Sequence, residues 1–249
     1  MEALNLIDCI SVPRLRFYKD YLKCATDDDA IGAYIAYQEL SGDFFCLIQM
    51  IEVALRNAIH STLKEGGHGS SWFDSIPFSS VSKELVTNAK DAAVKECGAR
   101  YEDDDVICRL TMGFWVYMLD SPYSDTTKSS YIWTPENKNR VFGRFKGGFD
   151  NKKGKPKSIR TLFDDFQRLL KFRNRLFHHE PVWKKSGCDS HEKAVDNMMK
   201  EFDFYLDMLK NLSPEKAKVM ELLGYEKRFK DRCKVERVQM VIKSLKDET

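Results

Sequence analysis

Apolar residues along this chain recur at helical intervals, and acidic or glycine-rich stretches punctuate them. Asp27-Asp28-Asp29 supplies an N-cap and an acidic first turn, and Ile31, Tyr34, Ile35, Tyr37 and Leu40 follow on one face. After Ser41-Gly42-Asp43 the pattern resumes through Phe44, Leu47, Ile48, Ile51, Leu55 and Ile59. This predicts one bent helix or two in series, with Gly42 as the weak point and Gly66-Gly67 as the stop. Residues 66–80 read as a loop whose Trp72 and Phe73 fold back onto the core. Val81, Leu85, Ala89, Ala92 and Ala93 predict a helix over roughly 80–98. Glu102-Asp103-Asp104-Asp105 reads as another acidic helix start, leading into Val106, Leu110, Phe114 and Leu119.

Residues 120–157 are rich in Ser, Thr, Gly, Pro and Lys, so helix there is expected to be short and broken, anchored by Trp133-Thr134-Pro135. The stretch ends in Lys152, Lys153, Lys155 and Lys157, and a long irregular segment in a compact domain is often a functional one. The clearest helix comes next: Ile159, Leu162, Phe163, Phe166, Leu169, Leu170 and Phe177 form an apolar stripe. Pro181 ends it, which puts Arg173 to His179 in its last turns. A further helix is expected over about 190–211, a short one from Ser213-Pro214, and a terminal one in the charged tail from Lys227. No alternating strand, internal repeat, dinucleotide glycine motif or P-loop is present. The pattern predicts an all-α fold: one helical-bundle domain over 1–249 with an irregular basic insertion. Its core covers about residues 10–210, and 211–249 form a helical extension.

Composition narrows the setting. Apolar content of 43% with 31% charged residues is that of an ordinary soluble globular protein. Glu2 and Asp8 interrupt any basic-then-apolar leader, and the run Phe44–Leu55 is broken by Gln49 and Glu52. Seven scattered cysteines without a CxxC pair suit reduced thiols, so the expectation is a cytoplasmic protein with no membrane association. Net charge is +2, but Glu136–Glu180 holds 13 Lys/Arg against 5 Asp/Glu. That local +8, ending on an arginine–histidine segment, is what a polyanion site needs; a solvated lysine-rich loop is the plainer reading.

The candidate chemistry lies in Phe172-Arg173-Asn174-Arg175-Leu176-Phe177-His178-His179-Glu180-Pro181. A guanidinium for a phosphate, an amide to orient it and an imidazole to move a proton can together cleave a phosphodiester with no metal or other cofactor. On a helix Asn174 and His178 share a face, and Arg173 lies one residue round. Cleavage of RNA by its own 2′-hydroxyl requires a base, here His178, and a cation for the charged transition state, here Arg173. His179 falls elsewhere on a regular helix, so a second imidazole is expected from another subunit. The plain alternative is a polar helix end with its usual basic residues. An echo occurs at Arg56-Asn57 with His60, where an internal ion pair and a helix-packing asparagine is the stronger reading. Zinc held by His178, His179, Cys188 and His191, or a Cys188 protease, fits no local signature.

These residues resemble the Abi-like family of bacterial abortive-infection proteins, within the HEPN superfamily of helical ribonuclease-like domains. Three segments carry the likeness: Ser11-Val12-Pro13-Arg14-Leu15 with Tyr18; Leu40-Ser41 through Glu52-Val53-Ala54-Leu55-Arg56-Asn57-Ala58-Ile59; and Arg173-Asn174-Arg175-Leu176-Phe177-His178-His179-Glu180-Pro181. Phe114-Trp115 and Trp133 also fit, and the likeness spans roughly residues 10–210. It implies an all-helical HEPN-like fold, phage defence acting on RNA, and a homodimer whose two Arg…His motifs meet. It makes Arg173, Asn174 and His178 the active-site set with His179 adjacent. RNA contacts are expected from Arg56, Asn57, Lys152, Lys153, Lys155, Lys157 and Arg175. Some relatives bind a structured RNA without cleaving it, and Phe177 is bulkier than the small residue expected beside His178.

The expected function is therefore an RNA-targeting defence protein, as a metal-independent endoribonuclease toxin. A non-catalytic RNA-binding module is the alternative, and an interaction or sensor domain without nucleic acid the third reading.

Overall fold

The computed structural model describes residues 10–146 and 154–248. The fold is all-α, as the periodicity predicts. Among the described residues the one extended pairing is an isolated antiparallel bridge between Lys146 and Pro156. The helices are α1 (Val12–Leu22), α2 (Asp27–Leu63), α3 (Trp72–Ser75), α4 (Ser80–Cys97), α5 (Asp103–Arg109), α6 (Met112–Tyr117) and α7 (Ser121–Ser124). They continue with α8 (Pro135–Phe142), α9 (Ile159–Phe177), α10 (His191–Leu212), α11 (Pro214–Leu222), α12 (Tyr225–Arg232) and α13 (Val235–Glu248).

Two compact units are present. One comprises 1–48, 172–207 and 215–249; the other comprises 49–171 and 208–214, so the divisions fall inside helices. In the first unit Phe44 is the hub. Its ring centroid lies 4.9 Å from Phe172, 5.6 Å from Phe202 and 5.2 Å from Phe229, and Phe202 stacks on Phe229 at 4.0 Å. Phe229 is fully buried, so the stretch from residue 215 contributes to this unit's core. Two of these pairs are edge-to-face, an arrangement that adds about 0.5–1.5 kcal/mol each beyond the area buried. Tyr18, Tyr37 and Trp183 form a second aromatic group, with both tyrosines within 5.5 Å of the indole. Gly32 is where α13 crosses α2: a Cβ there would stand 2.7 Å from the Cα of Ile242. A side chain at that crossing would hold the two backbones apart.

The second unit is built on tryptophans whose N–H groups are all satisfied, as burial of an indole requires. Trp72 donates to His60 Nδ1 (2.9 Å), Trp115 to the Leu110 carbonyl (3.3 Å) and Trp133 to the Met118 carbonyl (2.7 Å). Trp72 and Phe73 are buried, as expected. Thr134 caps α8 by accepting from Asn137 N–H, with Pro135 at the first helical position. Among the described residues of 120–157, helix is limited to α7 and α8, short and broken as expected.

α2 is one helix of 37 residues running through Gly42, the first of the two forms the pattern allows. Glycine in a helix costs about 1 kcal/mol, whereas Leu40 and Phe44 on either side are fully buried, each contributing about 1.5–3 kcal/mol. Burial therefore outweighs the glycine. The run Val106–Leu119, in contrast, is two helices: Leu110 and Thr111 are extended, and Thr111 starts α6. The Trp115 indole takes the Leu110 carbonyl freed at that break.

Candidate functional site at the end of α9

Of the predicted stripe on α9, Ile159, Leu162, Phe163, Phe166 and Leu169 are buried, Leu170 is half-buried, and Phe172 and Leu176 join the buried face. The helix stops at Phe177, so His178 and His179 lie in the turn beyond it and not in its last helical turn. Three backbone bonds define that turn. His178 N–H donates to Asn174 O (3.0 Å), His179 N–H to Leu176 O (3.1 Å) and Glu180 N–H to Arg175 O (2.9 Å). The last two are the paired bonds of a Schellman C-cap, with Pro181 following. The motif needs one left-handed residue, usually glycine, and here it is His179 at φ 55°. An L-residue in that region carries strain of about 1–2 kcal/mol.

Arg175 fixes the turn from beneath. Its guanidinium donates to the Pro181 carbonyl and to the Lys184 carbonyl (3.3 Å), and its Nε stands 3.5 Å from Glu180. The ion pair is partly exposed and contributes little; the two charge-assisted bonds to carbonyls carry the anchoring. Arg175, expected as an RNA contact, is thus engaged within the protein.

Above this anchor the functional groups are open to solvent. Asn174, His178 and His179 are exposed and Arg173 is half-buried. The Arg173 guanidinium sits 4.2 Å over the Phe177 ring, one helical turn on, and its Nη1 is 3.5 Å from Asn174 Oδ1. Phe177 was expected in the buried stripe but is 40% exposed, and its ring lies 5.0 Å from that of Phe45, itself 50% exposed. The result is a surface stack of guanidinium on two rings. Phe45 escaped the sequence reading because it looks like one more residue of the apolar run 44–55; its helical position puts it off the buried face that Phe44, Leu47 and Ile48 share.

Arg56, Asn57, His60, Lys155 and Lys157 belong to the second unit. Arg56 Nε donates to Asn57 Oδ1 (3.1 Å), repeating the arginine-to-next-asparagine contact of the main motif. His60 is a structural member: Nδ1 accepts from the Trp72 indole and Nε2 faces Asp104 Oδ1 at 3.9 Å. Burial holds its pKa below the ordinary histidine value, against the pull of Asp104. Lys155 is exposed, while Lys157 pairs with Asp165 at 2.7 Å. Lys152 and Lys153 lie outside the described residues. Cys188 and His191, weighed for zinc, serve the interior: Cys188 is buried, and His191 Nδ1 lies 3.1 Å from the Tyr37 hydroxyl. Among the described residues no three His, Cys, Asp or Glu side chains converge as metal ligands. No helix among them is long and apolar enough to cross a membrane.

Comparison with family models, with curated proteins and with solved structures finds no match to this chain.

Proposed function

We propose that this chain is an RNA-targeting abortive-infection protein of the cytoplasm, acting as a metal-independent endoribonuclease of the Abi-like, HEPN type. The observation that carries the reading is the pair of exposed imidazoles, His178 and His179, on a turn locked by its C-cap and by Arg175, one turn after a guanidinium held on Phe177. RNA transesterification needs just these elements. His178 removes the 2′-hydroxyl proton, the 2′-oxygen attacks phosphorus, and the P–O5′ bond breaks. His179, or an imidazole from a second copy of the chain, returns a proton to the 5′-oxygen, and a 2′,3′-cyclic phosphate remains. Arg173 bears the added negative charge of the phosphorane, and Asn174 hydrogen-bonds a phosphate oxygen or the ribose.

The test is purified protein with RNA in EDTA. Wild type cleaves, and His178→Ala loses about 10²–10⁴ in rate, the usual contribution of a positioned acid–base group, with its circular dichroism unchanged. Equal cleavage by the variant ends the proposal.

A second reading, RNA binding without cleavage, is favoured by the Arg173–Phe177–Phe45 stack. Exposed rings with an adjacent guanidinium are the usual means of holding an unpaired base. Salt-sensitive RNA binding with intact RNA ends selects it.

A further inference from the structure

A concavity of about 790 Å³ adjoins the same turn. α1 contributes Phe17 and Tyr21, four residues apart on one face, their centroids 6.3 Å apart and 32° from parallel. Arg175, Glu180, Pro181, Lys184 and Lys185 also line it, and the Glu180 carboxylate stands 3.5 Å from the Arg175 Nε. The Lys184 ammonium rests 4.3 Å from each ring centroid. Its neighbours are committed elsewhere: Lys185 lies 2.5 Å from the buried carboxylate of Glu201, and Arg175 holds the turn. Among the described residues no carboxylate neutralises Lys184, so its charge is available on a flexible stem.

We propose that this concavity binds a nucleotide. Its volume suits a small ligand, the two rings give a base a face to stack on, and the ammonium supplies a counter-charge for a phosphate. An incoming base takes over the ring faces while Lys184 swings from the π-clouds onto the phosphate. Because Arg175 and Pro181 belong both to this pocket and to the turn carrying His178 and His179, the bound nucleotide is the one flanking the cleaved link. That last assignment rests on the ribonuclease reading; nucleotide binding itself does not.

The experiment is calorimetric titration of the full chain with 5′-AMP, adenosine and inorganic phosphate. AMP binds, and adenosine and phosphate each bind at least about tenfold more weakly, because stacking and charge act together. Lys184→Glu and Tyr21→Ala each lower AMP affinity about tenfold, while Tyr21→Phe retains it. Lys184 is half-exposed, so its replacement leaves the core intact. His178→Ala leaves AMP affinity unchanged. Absence of AMP binding, or AMP binding indifferent to Lys184→Glu, overturns the pocket even if RNA is cut normally. AMP binding of this pattern in a protein that leaves RNA intact keeps the pocket and removes the ribonuclease.

Discussion

His179→Gly separates the fold of the α9 turn from its chemistry. His179 occupies the left-handed position of the C-cap at φ 55°, a region that costs an L-residue about 1–2 kcal/mol and glycine almost nothing. Glycine also enlarges the conformational freedom of the unfolded chain, which returns about 0.4–1 kcal/mol to the unfolded state. The net is a stabilisation of about 0–1.6 kcal/mol. For a chain of this size that raises Tm by up to about 6 °C. Thermal and urea unfolding followed by circular dichroism measure it, and the urea midpoint rises with m unchanged. The same variant removes an imidazole, so RNA cleavage falls while stability rises, the signature of strain retained at a functional position. A lowered Tm would refute the reasoning, since it would mean that the His179 side chain makes a native contact stronger than the backbone strain.

Two other expectations concern the fold. Gly32→Ala drives a methyl to 2.7 Å from the Ile242 Cα; overpacking against backbone costs about 1–3 kcal/mol, and faster amide exchange in α13 with a lower Tm checks it. Acid weakens the protein through His60 and His191, both of which burial holds below the ordinary histidine pKa. Below about pH 6.5 the unfolded chain takes up protons that the folded one refuses, so stability falls as pH drops from 7 towards 5. His191→Gln flattens that limb in pH-dependent urea titrations; an unchanged limb in both His191→Gln and His60→Gln removes the linkage.

The helices were legible wherever an apolar stripe and a stop signal coincided. Ile159–Phe177 and His191–Leu212 were placed to within a residue or two. Gly42 left one helix or two open because propensity is local while the burial of Phe44 is tertiary. The end of α9 was misplaced by two residues because Pro181 marks only where a helix must have ended. The C-cap that ends it earlier uses a histidine in glycine's place, so no glycine flagged the turn. For the candidate site, sequence spacing singled out Arg173, Asn174 and the two histidines, which lie together at the end of α9. It missed Phe45 as the partner of Phe177, and it counted Arg175 as a free cation when two carbonyls hold it. The pairing of Phe17 and Tyr21 with Lys184 joins residues more than 160 positions apart. No local pattern encodes such a contact.

The central claim is that the α9 turn acts on a ribose-phosphate link through the 2′-hydroxyl. An RNA oligonucleotide cut by the wild-type protein in EDTA is therefore resynthesised with one 2′-deoxyribose on the 5′ side of the cleaved bond, and the fragments are weighed by mass spectrometry. The account predicts a 2′,3′-cyclic phosphate on the all-ribose product and no cut at the deoxy position, with binding retained. Cleavage at the deoxy position would contradict it.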